Sequence, residues 1–429
     1  MPNLRTLLRP SPIAYVALFG GAQVAVLWLV RDWFALWIPV AGTVVLALMP
    51  FLLRRAGLWP LKTLALVTLI GITTVGPVLS SMETRSHLGL TLEQDGLVQT
   101  EAAVDRLIHG HAIYCVDWSD TALAQFPIGP DGPNPALKHF VYFPLQVLVG
   151  VPVRAITDAI GVGFDYRLVL IAWLLLALLA VLNLPVPVEV RYMVAACLFC
   201  DPLIARFFWT GHNDVCWIAM VLWALVWLGR RHPYLASVAF GTALAFKAFA
   251  ALALPLFALA VFLYWGGRFR GHVRSLALSA AALLALPVIT MLPFFVQNPR
   301  AFLTDTVLYN TGTISGGYFI SGFGFSGLLL ALHLIKHRTD YFPFFVFQVS
   351  TLLPSLFLGA RWFFRGRTLG RWMAGYALAL FVFIFFARFM NDSYIGLTLA
   401  LAASAAALNG HRIISATHAE PDRESAFAA

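Results

Sequence analysis

The sequence predicts an all-α polytopic membrane protein, on three observations. The chain of 429 residues is 60% hydrophobic and 11% charged, with a mean hydropathy of +0.81, far above the profile of a water-soluble domain. Apolar runs of about 18 residues or more recur from end to end, each long enough to cross a hydrocarbon core of roughly 30 Å. Runs such as LIAWLLLALLAVLNL (170–184) lack the alternation of barrel strands. A backbone in lipid must satisfy its own hydrogen bonds, so these runs are read as helices.

Spans are expected at 12–30, 33–53 and 62–80. Arg31 and Asp32 follow the first run and a second long run comes next, which marks a spanning helix rather than a cleavable signal. The net charge of +9 sits in short clusters at helix ends, LLRRAG, GRRHP, GRFRGHVR and RWFFRGRTLGR. That distribution fits the positive-inside rule and argues against nucleic-acid binding. With Arg5, Arg9, Arg54, Arg55 and Lys62 in the cytoplasm, the third span exits on the outer face, and residues 81–139 form a long outer loop. Eight of the twenty acidic residues lie between Glu83 and Asp131, so acidity is concentrated outside.

Further spans are expected at 140–157, 167–185, 213–229, 234–264, 275–296, 341–362, 372–389 and 392–408, about 11–13 in all. Asp201-Pro202 within 190–209 predicts a broken or re-entrant helix, and 234–264 fits one tilted helix or two short ones, with Lys247 near its middle. Residues 297–340 read as a second outer segment, glycine-rich at TGTISGGYFISGFG and with a short helix near 326–335; the basic KHR at 336–338 runs against the charge rule there. Cys197 and Cys200 form a CxxC with no second pair to complete a metal site, and read as ordinary buried thiols. No sharp internal repeat is present, which disfavours an inverted-repeat transporter.

Ionisable residues at membrane depth are costly and therefore functional candidates. In LEQDGLVQTEAAVDRLIHGHAIY (92–114), Leu97, Ala103, Val104, Leu107 and Ile108 share one arc of a helix, bordered by Glu101 and Asp105 and ended by Gly110. This predicts an amphipathic helix on the outer membrane surface. Asp95 precedes its first turn and has two readings: an N-cap, or a general base for a hydroxyl nucleophile at headgroup depth. Glu93 and Glu101 are competing bases. Their ordinary reading, with the other carboxylates, is a solvated helix face. WTGHNDV offers His212, Asn213 and Asp214; AFKAF offers a lone Lys247; FFARFMNDSYIG offers Arg388, Asn391 and Asp392. Each cation could merely snorkel to the interface. Together, cations and acids on one face suit a phosphate-bearing donor and a hydroxyl acceptor. His139 and Tyr142, in KHFVYFPL, are placed at the entrance, with an interfacial aromatic belt as the alternative for the tyrosine.

GHAIY, VYFPL, GHND, AFKAF, NPRAF and GYFISGFG, in that order, resemble the GT-C class of membrane glycosyltransferases, and most closely the polyprenyl-phosphate-sugar-dependent family 87 and its mannosyltransferase relatives. The resemblance spans most of residues 62–400. It implies a GT-C-like bundle with juxtamembrane helices in the first outer loop. It also implies inverting transfer of a sugar, mannose by analogy, from a polyprenyl phosphate to a lipid or glycan hydroxyl on the extracytoplasmic face. Asp95 matches the position of the family's base; neither metal nor cofactor is implied. The chain departs from many relatives in having three spans before the acidic loop. The organisation expected is an N-terminal hairpin at 1–60, a catalytic module at 61–296, the glycine-rich outer segment at 297–340, C-terminal spans at 341–408 and a cytoplasmic tail at 409–429. A monomer in a bacterial plasma membrane is expected, with a transporter or flippase of a lipid-linked sugar as the rival.

Overall fold

The computed structural model describes residues 10–126, 133–314 and 316–413; Arg5, Arg9, Asp131 and residues 414–429 of the expected tail lie outside them. The protein is an all-α polytopic membrane protein. Its helices are α1 Pro12–Leu29, α2 Trp37–Arg54, α3 Trp59–Leu88, α4 Asp95–Ile108, α5 Pro144–Leu148, α6 Gly150–Ala159, α7 Arg167–Leu182, α8 Val188–Phe199 and α9 Pro202–Thr210. They continue as α10 Asp214–Gly229, α11 Pro233–Phe246, α12 Ala248–Tyr264, α13 Val273–Gln297, α14 (residues 299–311), α15 Phe325–Ala331, α16 Phe344–Gly366, α17 Leu369–Phe385 and α18 Asp392–Ala407. A two-residue parallel pairing joins Ser321–Gly322 to Phe389–Met390.

Of the 11–13 spans expected, α1, α2, α3, α13 and α16 are long and apolar enough to cross a membrane, and the bent pair α8–α9 makes a sixth. Six further apolar helices, α7, α10, α11, α12, α17 and α18, have 10–17 residues. Several stop short for one reason: α9 ends, α10 begins, α11 ends, α12 begins, α17 ends and α18 begins around a common cavity that takes the place of their missing turns. Helices α13 and α16 lie on the outside of the bundle; in α13 only Ser279 and Thr290 are buried. Helices α8 and α10 pack inside it.

Two expectations about the spans need correction. Residues 140–157 do not span. They form α5 and α6, of five and ten residues, with Arg154 paired to Asp158 on an exposed face; ten residues rise only about 15 Å. The third span runs on to Leu88, so that Arg85 stands on a helix rather than in the loop. The two ambiguous stretches both break. Between α8 and α9 the chain bends by 55°, and Asp201 caps α9 by accepting the Leu203 N–H. Between α11 and α12 the break falls on Lys247 itself, which has extended backbone.

Helix α4 also differs from the surface helix expected. Leu97, Val98, Ala103 and Val104 are buried against protein, where α4 meets α5 and α6, while Ile108 is exposed. Of its acidic border, Asp105 stays half-exposed beside Arg154 (3.3 Å), while Glu101 is largely covered and a chain of ion pairs holds it. Arg85 binds both oxygens of Glu101, at 2.9 and 2.6 Å, and Asp165 at 3.2 Å. Arg167, fully buried, meets Asp165 at 2.6 Å and Glu93 at 3.0 Å, and donates to the Ser81 hydroxyl and the Trp209 carbonyl. Burial makes such a pair costly to break from one side, because the partner is left charged and desolvated. Arg167→Met is therefore expected to cost about 3–5 kcal/mol, read as a lowered thermal midpoint of the detergent-solubilised protein. Adding Glu93→Gln should recover part of the loss.

Candidate active site

The site begins where α4 begins. Gln94, at the N-cap position, donates its backbone N–H to the Thr210 carbonyl (3.0 Å) and its side-chain amide to the Gly211 carbonyl (3.1 Å). This ties the start of α4 to the turn between α9 and α10. Asp95 is the first helical residue rather than the N-cap. Its carboxylate accepts the Gly96 N–H at 2.7 Å and the Asn134 amide at 2.9 Å, and lines the cavity. Gly96 is required there by space: a Cβ would lie 2.0 Å from the Tyr142 hydroxyl. Gly211 has φ of +91°, and a Cβ would press on Leu97 at 2.6 Å. The tight turn it permits delivers His212 and Asn213 to the cavity wall.

The cavity encloses about 440 Å³. Its polar lining includes Gln94, Asp95, Gln99, Tyr142, His212, Asn213, Lys247, Tyr309, Asn310, Tyr318, Arg388, Asn391 and Tyr394. Its apolar lining is largely aromatic, with Phe246, Phe249, Phe344, Phe345, Phe383 and Phe389. Tyr341 and Phe345 both line it and are exposed on the outside of the bundle, so the cavity opens there.

The two cations have different roles. The Lys247 ammonium donates to Asp214 at 2.7 Å and Asn213 at 3.2 Å and lies over the Phe249 and Tyr394 rings. Asp214 also accepts the Trp217 indole N–H at 2.9 Å. A lysine has three donors, so one is left for a ligand. Arg388 is buried and donates to three main-chain carbonyls, those of Tyr318, Asp340 (2.8 Å) and Arg338 (3.2 Å). It clamps the 312–340 segment over the site and keeps only two of its five N–H groups for anything else. His212 is not a third cation: burial, with Lys247 nearby, lowers its pKa to about 3, against the opposing pull of Asp214. It is a neutral ring, 3.0 Å from the Thr210 hydroxyl. Burial likewise raises Tyr142, Tyr309 and Tyr318, with Asp95 adding to each, so all three stay protonated as hydrogen-bond donors.

Other expected residues lie elsewhere. Glu101 faces Arg85 and the Tyr166 N–H (2.9 Å), away from the cavity lining; burial raises its pKa despite both partners. Asp392 makes a largely exposed pair with Arg206 at 3.4 Å, and only its neighbour Asn391 lines the cavity. His139 sits behind the wall, stacked on Tyr309 and bonded through Nδ1 to Asp305 at 2.7 Å. The sequence reading passed over Asp305 and Asn134. Asp305 is fully buried and also accepts the Cys115 N–H (2.6 Å), the Phe140 N–H (3.0 Å) and the Cys115 thiol (3.3 Å). Cys115, His139 and Asp305 offer metal-ligating atoms all within 4.8 Å. Those atoms are bonded to one another, and burial beside Asp305 pushes the thiol up to about 11. The cluster fastens α14 to the outer loop. A lone acid in the otherwise uncharged run from Ala301 to Gly312 was the available signal for Asp305.

Filling the space at Gly96 overpacks the site. Gly96→Ala should lower the thermal midpoint by an amount equivalent to about 1–3 kcal/mol. Gly96→Ala with Tyr142→Phe, which removes the hydroxyl in the way, should recover most of it.

No curated protein and no solved structure matches the chain. Glycosyltransferase family 87 matches residues 140–387, more than half of the 429, and the match takes in Tyr142, the His212–Asp214 turn and Lys247 while leaving Asp95 and Asn391 outside. A multi-pass helical membrane protein with a polar cavity beneath an aromatic opening is in keeping with that match, and the chain belongs to glycosyltransferase family 87.

Proposed function

We propose that the enzyme transfers a sugar, mannose in this reading, from a polyprenyl-phosphate donor to a hydroxyl of a lipid or glycan acceptor. One observation carries the proposal: a single cavity holds Asp95 and Lys247 in its polar lining and opens through aromatic side chains to the outside of the bundle. In the step proposed, the acceptor oxygen attacks the anomeric carbon from the face opposite the phosphate. The bond from that carbon to the phosphate oxygen breaks, its electron pair leaves with the polyprenyl phosphate, and the configuration inverts. The acceptor proton passes to Asp95, whose carboxylate makes the hydroxyl a competent nucleophile. Lys247 faces the charge growing on the phosphate, with neutral His212 and Asn213 as further hydrogen-bonding groups. With that charge met by a lysine, the reading asks for no metal ion.

Charge supports an extracytoplasmic site in a bacterial plasma membrane. Arg54–Arg55, Arg230–Arg231, Arg268–Arg274 and Arg361–Arg371 lie at the helix ends remote from the cavity, which the positive-inside rule places in the cytoplasm. The KHR exception is partly consumed internally, since Arg338 donates to the Ile320 carbonyl at 2.9 Å. The rival reading as a transporter rests on Asp201-Pro202 and Lys247; here Asp201 caps α9 and Lys247 faces the cavity.

Asp95→Asn should reduce transfer from polyprenyl-phosphate [14C]mannose by about 10²–10⁴-fold with membrane insertion unchanged. Glu101→Gln should cost less turnover and more stability, and the opposite order would move the base to Glu101. Lys247→Ala should raise the donor KM about tenfold, the scale of one charge-assisted contact, and leave the acceptor KM unchanged in a donor and acceptor titration.

A further inference from the structure

We infer that Asn134 is a positioning residue for Asp95, holding its carboxylate in one orientation. Asn134 is buried, at 6% exposure. Its Oδ1 accepts the Ala136 N–H at 3.0 Å and its Nδ2 donates to Asp95 Oδ2 at 2.9 Å. A primary amide has one accepting and one donating side, so the bond from Ala136 decides that the NH₂ faces the acid. The other carboxylate oxygen accepts the Gly96 N–H. Both ends of the carboxylate are therefore held, and rotation about its last bond would break both contacts.

The segment that carries Asn134 is itself anchored to α4. Gln99, one turn beyond Asp95, donates to the Ala136 and His139 carbonyls at 2.8 and 2.7 Å. The amide and the acid thus belong to one rigid unit. A donor to the ionised form of a carboxylate favours that form; removing Asn134 disfavours it and frees the rotation. The titratable groups facing Asp95 are Tyr142, Tyr309 and Tyr318, each opposed in its ionisation by the acid, while His212, Lys247 and Arg388 line the same cavity.

The inference rests on Asp95 as base, and its test separates the two. The full chain in nanodiscs is titrated by infrared spectroscopy, and the Asp95 band is isolated by subtracting the Asp95→Asn spectrum. Asn134→Ser keeps an oxygen able to accept the Ala136 N–H but does not reach Asp95. It should raise the Asp95 midpoint by about half a pH unit or more. Turnover of polyprenyl-phosphate [14C]mannose should fall, its acidic limb moving up by the same amount with the donor KM unchanged. An unmoved midpoint overturns the inference. Should Asn134→Ser fail to fold, Asn134→Asp keeps the volume and the Ala136 acceptor. It faces the acid with a like charge, so the pair should titrate in two steps, the upper about one unit or more above the wild-type midpoint; a single unmoved step overturns the inference. Normal turnover by Asp95→Asn sinks the base reading. A dead Asp95→Asn with an unmoved Asn134→Ser midpoint sinks only the role of Asn134.

Discussion

The buried ion chain Glu93–Arg167–Asp165–Arg85–Glu101 is the constraint on which the site depends. It joins the end of α3, the loop before α4, the second turn of α4 and the start of α7. A loop helix outside a membrane bundle has little apolar area with which to hold a fixed position. Charge neutralised in pairs supplies the missing geometry, because a guanidinium fork accepts only a few arrangements of carboxylate. The acids that crowd this loop thus divide by role. Glu93 and Glu101 fix the helix, and Asp95 between them is turned toward the cavity with its carboxylate held by two N–H donors.

A second fastening works from the other side. Asp305 gathers Cys115, His139 and Phe140 onto α14, and Arg388 gathers the carbonyls of Tyr318, Arg338 and Asp340. Neither group acts as a free charge. Both convert a long outer segment, which would otherwise leave main-chain groups unsatisfied, into a wall of defined shape. The cavity is bounded by polar clusters largely spent on the protein itself, and the N–H donors that Lys247 and Arg388 have left face it.

Much of this was legible in the amino-acid pattern. Runs of apolar residues mark the bundle, basic clusters mark one side of it, and an acid at the head of an amphipathic segment marks Asp95. His212, Asn213 and Lys247 stood out because polar residues in apolar surroundings need a reason. The pairing of Glu101 with Arg85 and of Glu93 with Arg167 was not legible, since the partners are 16 and 74 residues apart and nothing local links them. Nor was the shortness of the inner helices: hydropathy counts apolar residues, and it cannot see a cavity replacing the ends of spans. Residues 140–157 misled for the same reason, being apolar enough to span but spent on covering α4. Asn134 carries no charge and sits in a loop rich in proline and glycine, where an asparagine is ordinarily a turn residue.

The exposed pair Tyr341 and Phe345 at the cavity opening has a kinetic corollary. On the proposed function, an opening flanked by outward-facing aromatic rings would admit a lipid-borne donor sideways from the leaflet rather than from bulk water. A reactant dissolved in the same leaflet is then met by a search in two dimensions. The quantity that governs saturation becomes its mole fraction among the surrounding lipids, not its molarity in the medium. Diluting the bilayer with inert lipid would starve such an enzyme while leaving the total amount of reactant in the vessel unchanged.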